Sequence, residues 1–123
     1  MLRGTLIAES LRLDQPFDTD TLRVQSVRRV GPLVGVAADQ PDVWTFIEFT
    51  ADDARGGTLA DALAGALSPV GHWYCDFRTN AETFVVFAGL VFRYPRGDAD
   101  GRAQAAGHAR ILGVPEEQID WPE

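Results

Sequence analysis

Apolar and polar residues alternate in several short segments of this chain, and alternation with a period of two is typical of β-strands. The first such segment covers residues 3–13 and changes phase near Ser10, while residues 43–51 carry aromatic and β-branched side chains on both faces. Gly, Pro and Asp residues separate many of the segments. The pattern predicts six strands, in residues 3–13, 22–30, 43–51, 72–78, 82–88 and 90–95.

Two segments change to the period of an α-helix. Residues 58–68 bring leucines and alanines onto one stripe, and Thr58 with Asp61 forms an approximate capping box at the start. Residues 98–112 begin at Asp98, whose carboxylate suits the positive end of a helix dipole, and they include small residues that permit a close approach to a sheet. We therefore expect one helix in each of these two segments.

The predicted elements follow the order βββαβββα within a single domain, residues 1–123. This order favours an α+β fold, in which about six strands form an antiparallel sheet and both helices lie on one face of it. Residues 15–21 are expected to form a turn, and the segment 31–42, which is punctuated by Gly, Pro and Asp, is expected to be a mobile loop. The C-terminal tail is expected to make one more turn and to dock Ile119 and Trp121.

The charge balance narrows the range of partners. The chain has 18 acidic and 11 basic residues and a net charge of −7, so the phosphate backbones of nucleic acids and anionic membrane surfaces would be repelled. All 11 basic residues are arginines, which excludes lysine chemistry such as Schiff-base formation. We expect neither a nucleic acid nor a membrane as partner, and we expect a protein partner to be basic.

Cysteine and histidine are too few for the common metal sites. Cys75 is the single cysteine and cannot form an intramolecular disulfide, and metal knuckles need several thiols or imidazoles at set spacings. We therefore expect no cofactor. The N-terminal segment is unlike a secretory leader, and no apolar run approaches the ~20 residues of a membrane span, so a cytoplasmic location is expected.

The segment 72–78 concentrates side chains that can carry chemistry. Because side chains alternate along a strand, four polar ones share a face: His72, Tyr74, Asp76 and Arg78. Cys75 lies on the opposite face, where we expect an unreactive core thiol and not one half of a Cys/His pair. The four polar side chains form either a solvated sheet face or a surface that recognises a carboxylate, a sugar or a protein.

Two further charged residues stand in otherwise apolar strands. Glu48 shares a face with aromatic side chains, and a carboxylate in that position needs a cationic partner. Arg93 is the expected partner in an ion pair. The alternative is a small-ligand pocket in which Glu48 and Arg93 act together with Tyr74 and His72.

Longer stretches of the sequence resemble a known group of proteins. The segments "GHWYCDFRTNAETFVVFAGLVFRYPRGD" and "ILGVPEEQIDWP", together with "WTFIEF", are similar to small uncharacterised proteins that are common in actinobacterial genomes. The likeness covers roughly the C-terminal half of the chain. It implies a free-standing intracellular domain and no particular activity.

Two classes of function remain open at this point. The first is a non-enzymatic binding or protein-interaction module, of an inhibitor or immunity type, that uses its acidic surface against a basic partner. The second is a small-ligand binder or enzyme built on the pocket around Glu48 and Arg93. An unprotected strand edge and Trp121 near the C-terminus also predict a homodimer that is buried partly through the last strands.

Overall fold

The computed structural model describes residues 1–17 and 22–123, so the expected turn at 15–21 lies partly outside the described residues. Three short 3-10 helices accompany the main elements, at Ala8–Ser10, Asp53–Arg55 and Glu116–Gln118. The strands and helices are β1 (Leu2–Ile7), β2 (Leu22–Val30), β3 (Trp44–Ala51), α1 (Gly56–Ala66), β4 (Cys75–Arg78), β5 (Glu82–Phe87), β6 (Leu90–Pro95) and α2 (Ala99–Ile111).

The six strands form one sheet in the order β2-β3-β1-β4-β5-β6, and every neighbouring pair is antiparallel. The N-terminal strand β1 lies in the middle, since it pairs with β3 on one side and with β4 on the other. Strands β2 and β6 are the two edges. The α+β class, the six-stranded antiparallel sheet and the order βββαβββα are thus confirmed.

The two helices lie on opposite faces of the sheet, so the expectation that both lie on one face is wrong. Phe84 and Val86 of β5 pack in the same cluster as α1, whereas Val85 and Phe87 pack with α2. These two pairs alternate along the strand and therefore point to opposite sides. Because β5 is apolar on both faces, each face needs its own cover. We call the side covered by α1 the first face and the side covered by α2 the second face.

The first face carries the larger part of the core. Leu59 and Leu63 of α1 are fully buried against it, and the rings of Phe77 and Phe84 stack there with their centroids 4.8 Å apart. Cys75 belongs to this cluster, as alternation along β4 predicts. Its Sγ lies 3.5 Å from the carbonyl oxygen of Thr5.

The Cys75 thiol is expected to react slowly in the folded protein. Its side chain is 2% exposed, and burial raises the pKa of the thiol well above its ordinary value, so the nucleophilic thiolate is scarce. Labelling with a chromogenic disulfide reagent should therefore be slow and should accelerate when denaturant unfolds the chain. Fast stoichiometric labelling of the native protein would contradict this placement.

The second face is covered by α2 and the C-terminal tail. Asp98 caps α2 as expected, since its side chain accepts hydrogen bonds from the backbone N–H groups of Asp100 and Gly101. Three alanines of α2 (Ala105, Ala106 and Ala109) are buried against β5 and β6, together with Ile119 and Trp121 of the tail. The docking of both tail residues is thus confirmed.

This cover extends over only half of the second face. Helix α2 contacts β6 and lies over the β5–β6 end of the sheet. On β1, by contrast, Arg3 and Thr5 of the second face are exposed, although this strand lies in the middle of the sheet. Among the described residues, no helix covers the second face of β1, β3 and β2, and several of its side chains reach solvent. We call this surface the open half-face.

Several element boundaries differ from expectation. The first strand ends at Ile7, where the chain enters a 3-10 turn. Strand β4 begins at Cys75 instead of residue 72, because His72 has a φ of +61°, which an extended strand does not permit. Helix α1 begins at Gly56, so Thr58 lies inside the first turn and the expected capping box is absent there.

The buried position of Trp121 bears on self-association. The side chain is 2% exposed within a single chain, so the expectation that it contributes to a dimer interface is wrong. The homodimer itself stays a prediction. None of the helices in residues 1–17 and 22–123 combines the length and the apolar character needed to cross a bilayer.

Candidate functional site

A cleft of about 410 Å³ opens on the second face, where the open half-face meets the C-terminal tail and the loop at residues 33–36. Trp44, Phe46 and Trp73 provide aromatic surface in it, and Arg28 is also part of its lining. Its acidic groups come from β4 and from the tail, and they are Asp76, Glu117 and Asp120. We call this feature the acidic cleft.

Asp76 is the most strongly perturbed carboxyl group in the cleft. Burial is the largest cause and the negative charge of Asp120 adds to it, while the Arg78 guanidinium opposes the shift. Together they raise the pKa of Asp76 from 3.8 to about 6. In the described part of the chain, no other residue's side chain hydrogen-bonds to this carboxylate. Asp76 is therefore a half-buried acid that is ionised at neutral pH without a local cation to neutralise it fully.

Tyr74 joins the sheet to the tail. Its hydroxyl donates to the backbone carbonyl of Gln118 and lies 3.1 Å from Asp120 Oδ1. Burial, followed by the nearby charges of Asp120 and Asp76, raises the pKa of the phenol. The hydroxyl thus stays protonated and holds the tail, and with it Asp120, at the edge of the cleft.

His72 lies at the rim of the acidic cleft. Its Nδ1 lies 2.9 Å from Asp39 Oδ1, and its left-handed backbone conformation directs the chain from Gly71 into β4. It lines the same cleft as Tyr74 and Asp76, so the structure brings these three predicted residues together. Cys75 points to the other face, which separates the thiol from the imidazole as expected.

Arg78 lies beside this group but is covered by the tail. Its Nη2 donates to the carbonyl oxygen of Glu123 at 2.9 Å, and its Nε is buried. The row of four polar residues in 72–78 is therefore not a uniformly solvated sheet face, because the tail folds over Tyr74 and Arg78. Asp76 keeps its access to the cleft.

The loop at residues 31–42 is attached to the wall of the cleft through Gln40, which is 7% exposed. Its Nε2 donates to the carbonyl of Gly71 at 2.7 Å, and its Oε1 accepts from the backbone N–H of Ala37 at 2.9 Å. Gln118 of the tail donates to the same Oε1 at 2.9 Å. These bonds connect the loop with the segment that precedes β4 and with the tail. The mobility of the loop stays a prediction.

Glu48 and Arg93 do not meet. Arg93 forms a two-pronged ion pair with Glu82, at 2.6 and 2.8 Å, on the first face at the β6 edge. Glu48 lies on the second face of β3, where the nearest cation is Arg28 at 3.7 Å. The expected ion pair is wrong, and a pocket that unites Glu48 and Arg93 with Tyr74 is not formed.

Several residues of the cleft were not singled out from the sequence. Glu117, Gln118 and Asp120 belong to the tail, and only the tertiary fold carries them to β4. Trp44 and Phe46 belong to β3, and Trp44 is buried against Trp73 with ring centroids 5.2 Å apart. No local sequence signal links these residues to Asp76.

The described residues contain no group of three His, Cys, Asp or Glu side chains that could hold a metal ion. Protein-family models, curated proteins and solved structures were each compared with the chain, and none of them matches. The chemistry of the cleft therefore has to be derived from its own residues. Carboxylates attract a cation, and the face of an aromatic ring can contact it through a cation–π interaction, so this combination of side chains suits a cationic ligand.

Proposed function

We propose that this protein is a non-enzymatic protein-interaction module whose acidic cleft accepts a cationic side chain of a basic partner. The observation that carries the proposal is the convergence of Asp76, Glu117 and Asp120 beside the aromatic side chains that line the cleft. A cytoplasmic location, which the single cysteine favours, belongs to the same proposal.

The charges of the cleft favour a cation. Its three carboxyl groups outnumber the single guanidinium of Arg28. The net charge of the whole chain is −7, so the electrostatic field around the cleft is negative as well. The guanidinium carbon of Arg28 lies 5.4 Å from the centroid of Phe46. This ring therefore already holds one cation on its face, which is the geometry that an incoming arginine or lysine would use.

The surroundings of the cleft favour a protein over a free small molecule. Val34 on the rim is 96% exposed, and the adjacent open half-face extends to the edge strand β2. A partner that inserts one side chain into the cleft would cover this surface as well. A polar rim around a small aromatic centre is the usual arrangement of transient protein interfaces.

A short arginine-containing peptide tests the proposal by NMR titration. We expect the largest shifts at residues that line the cleft, and we expect affinity to fall as salt rises, because the attraction is electrostatic. Affinity should also fall as the pH drops through about 6, since the pKa of Asp76 is raised to about 6 and its protonation removes a negative charge.

Charge-neutralising variants provide the comparison. Glu117 and Asp120 are exposed, so Glu117→Gln and Asp120→Asn should fold normally and should each weaken binding by about fivefold. Asp52→Asn removes an exposed carboxylate away from the cleft and should leave affinity unchanged. Equal losses in all three variants, or salt-independent binding, would show that the cleft is not the site.

A second candidate function rests on the raised pKa of Asp76. The cleft of about 410 Å³ lies in the size range of small-ligand sites, and a carboxyl group that titrates near pH 6 can act as an acid or base. In this alternative, the ligand is a small amine or guanidinium compound, and the residues are Asp76, Tyr74 and His72. Tight binding of such a compound without any protein partner would favour it.

A further inference from the structure

A second charged site lies on the open half-face. Thr50 of β3 pairs with Arg3 of β1 on one side and with Arg23 of β2 on the other. All three side chains therefore point to the second face, in one row across three strands. Arg3 and Arg23 are exposed, while Thr50 is 6% exposed and forms the floor between them.

The spacing suits a ligand held from both sides. Two strand intervals place the Cα atoms of the two arginines about 9.6 Å apart, so their long side chains can converge above Thr50. The β2 bulge at Gln25 contributes a further group, because Gln25 Nε2 donates to Thr50 Oγ1 at 3.1 Å. With its oxygen accepting that bond, the Thr50 hydroxyl is free to donate upward.

The local charge is positive in spite of the net charge of the chain. The shallow cavity at this place, about 570 Å³, is lined by Arg3, Arg23 and a single carboxylate, Glu48. Glu48 lies 3.7 Å from the Nε of Arg28, which offsets its charge. Arg78 pairs with Arg3 in the next strand, but its guanidinium donates to the carbonyl oxygen of Glu123 under the tail, so the site rests on Arg3 and Arg23.

We infer that Arg3 and Arg23, with the Thr50 hydroxyl between them, bind the phosphate group of a small phosphorylated molecule. In a two-pronged pair with one arginine, a carboxylate accepts two hydrogen bonds. Two guanidinium groups and one hydroxyl offer more donors than that, which suits a ligand with more acceptor oxygens. A phosphate monoester has three terminal oxygens, which two arginines can share from opposite sides. The site adjoins the acidic cleft at Thr5 and has the opposite sign.

Titration of the whole protein with inorganic phosphate, with glycerol phosphate and with acetate tests the inference by NMR. We expect saturable shifts with both phosphates, centred on the backbone amides of Arg3, Arg23 and Thr50, and weaker or no shifts with acetate. A glycerol phosphate affinity above that of inorganic phosphate would identify a phosphorylated organic molecule as the ligand class. Equal affinities would restrict the inference to the phosphate group itself.

The phosphate affinities of arginine variants then show which side chains contribute to binding. Arg3→Gln and Arg23→Gln should each weaken phosphate binding by about tenfold, because each removes a charged hydrogen-bond donor. Arg55→Gln, at an exposed arginine outside the row, should bind as the wild type does. Absence of saturable phosphate binding, shifts centred elsewhere, equal binding of acetate, or an equal loss in Arg55→Gln would overturn the inference.

Discussion

Replacement of Trp121 by alanine is expected to lower the free energy of unfolding by about 3–5 kcal/mol. The indole is 2% exposed, and its ring packs edge-on against Tyr74 with centroids 4.9 Å apart. The Arg102 guanidinium lies 5.7 Å from the indole centroid, and Arg102 Nε donates to the Trp121 carbonyl at 3.0 Å. A smaller side chain would leave a cavity between tail, α2 and sheet.

Chemical denaturation of the variant and two controls measures this loss. Ile111→Ala removes a side chain that is 83% exposed, so it should change stability by less than about 0.5 kcal/mol. Trp121→Phe keeps part of the ring and removes a buried Nε1–H that has no hydrogen-bond partner among the described residues, so it should cost clearly less than alanine. A negligible effect of Trp121→Ala would mean that the tail is detached in solution and does not form a wall of the acidic cleft.

Local patterns in the sequence were sufficient for the elements of the fold. Alternation identified the strands, and the capping carboxylate of Asp98 identified the start of α2. The placement of the helices was wrong because the order of the elements along the chain does not determine which face of the sheet each helix covers. The continuous apolar run at residues 84–87 of β5 already implied that both faces of the sheet needed cover.

The candidate site was predictable only within one strand. Alternation correctly separated Asp76 from Cys75, since both belong to β4 and side-chain direction follows from the period of two. It could not give the order of strands in the sheet, so Glu48 was paired with Arg93, which lies on the other face and at the opposite end. Asp120 reaches the site only because the tail folds back over the sheet.

The acidic cleft and the row of Arg3, Thr50 and Arg23 share one surface, so the net charge does not describe the local charge at either place. The net charge of −7 predicts repulsion of nucleic acids and anionic membranes, whereas Arg3 and Arg23 lie close together on the open half-face. The pairing and register of the strands decide which charged side chains become neighbours on one face, and their positions along the chain do not. The cation site and the anion site that we propose would thus lie on the same side of the molecule.

Asp76→Asn is expected to stabilise the fold while it weakens the interaction that we propose. Burial and Asp120 raise the pKa of Asp76 to about 6, so between the unfolded value of 3.8 and about 6 the folded state holds a proton that the unfolded state releases. Stability therefore decreases as the pH rises through this window. At neutral pH the charged carboxylate costs about 2 kcal/mol, since its remaining contact with water reduces the full cost of the shift.

The asparagine variant should recover this free energy at about pH 7.5 and lose its advantage at about pH 4, where the wild-type carboxyl is protonated. Asp52→Asn, whose carboxylate is exposed, should match the wild type at both values. Binding of the arginine peptide should weaken in Asp76→Asn in spite of its greater stability, because the variant removes the most buried charge of the cleft. A carboxylate whose charge stabilises the fold would show the opposite combination, with lower stability and unchanged binding, and that result would exclude Asp76 from the interaction.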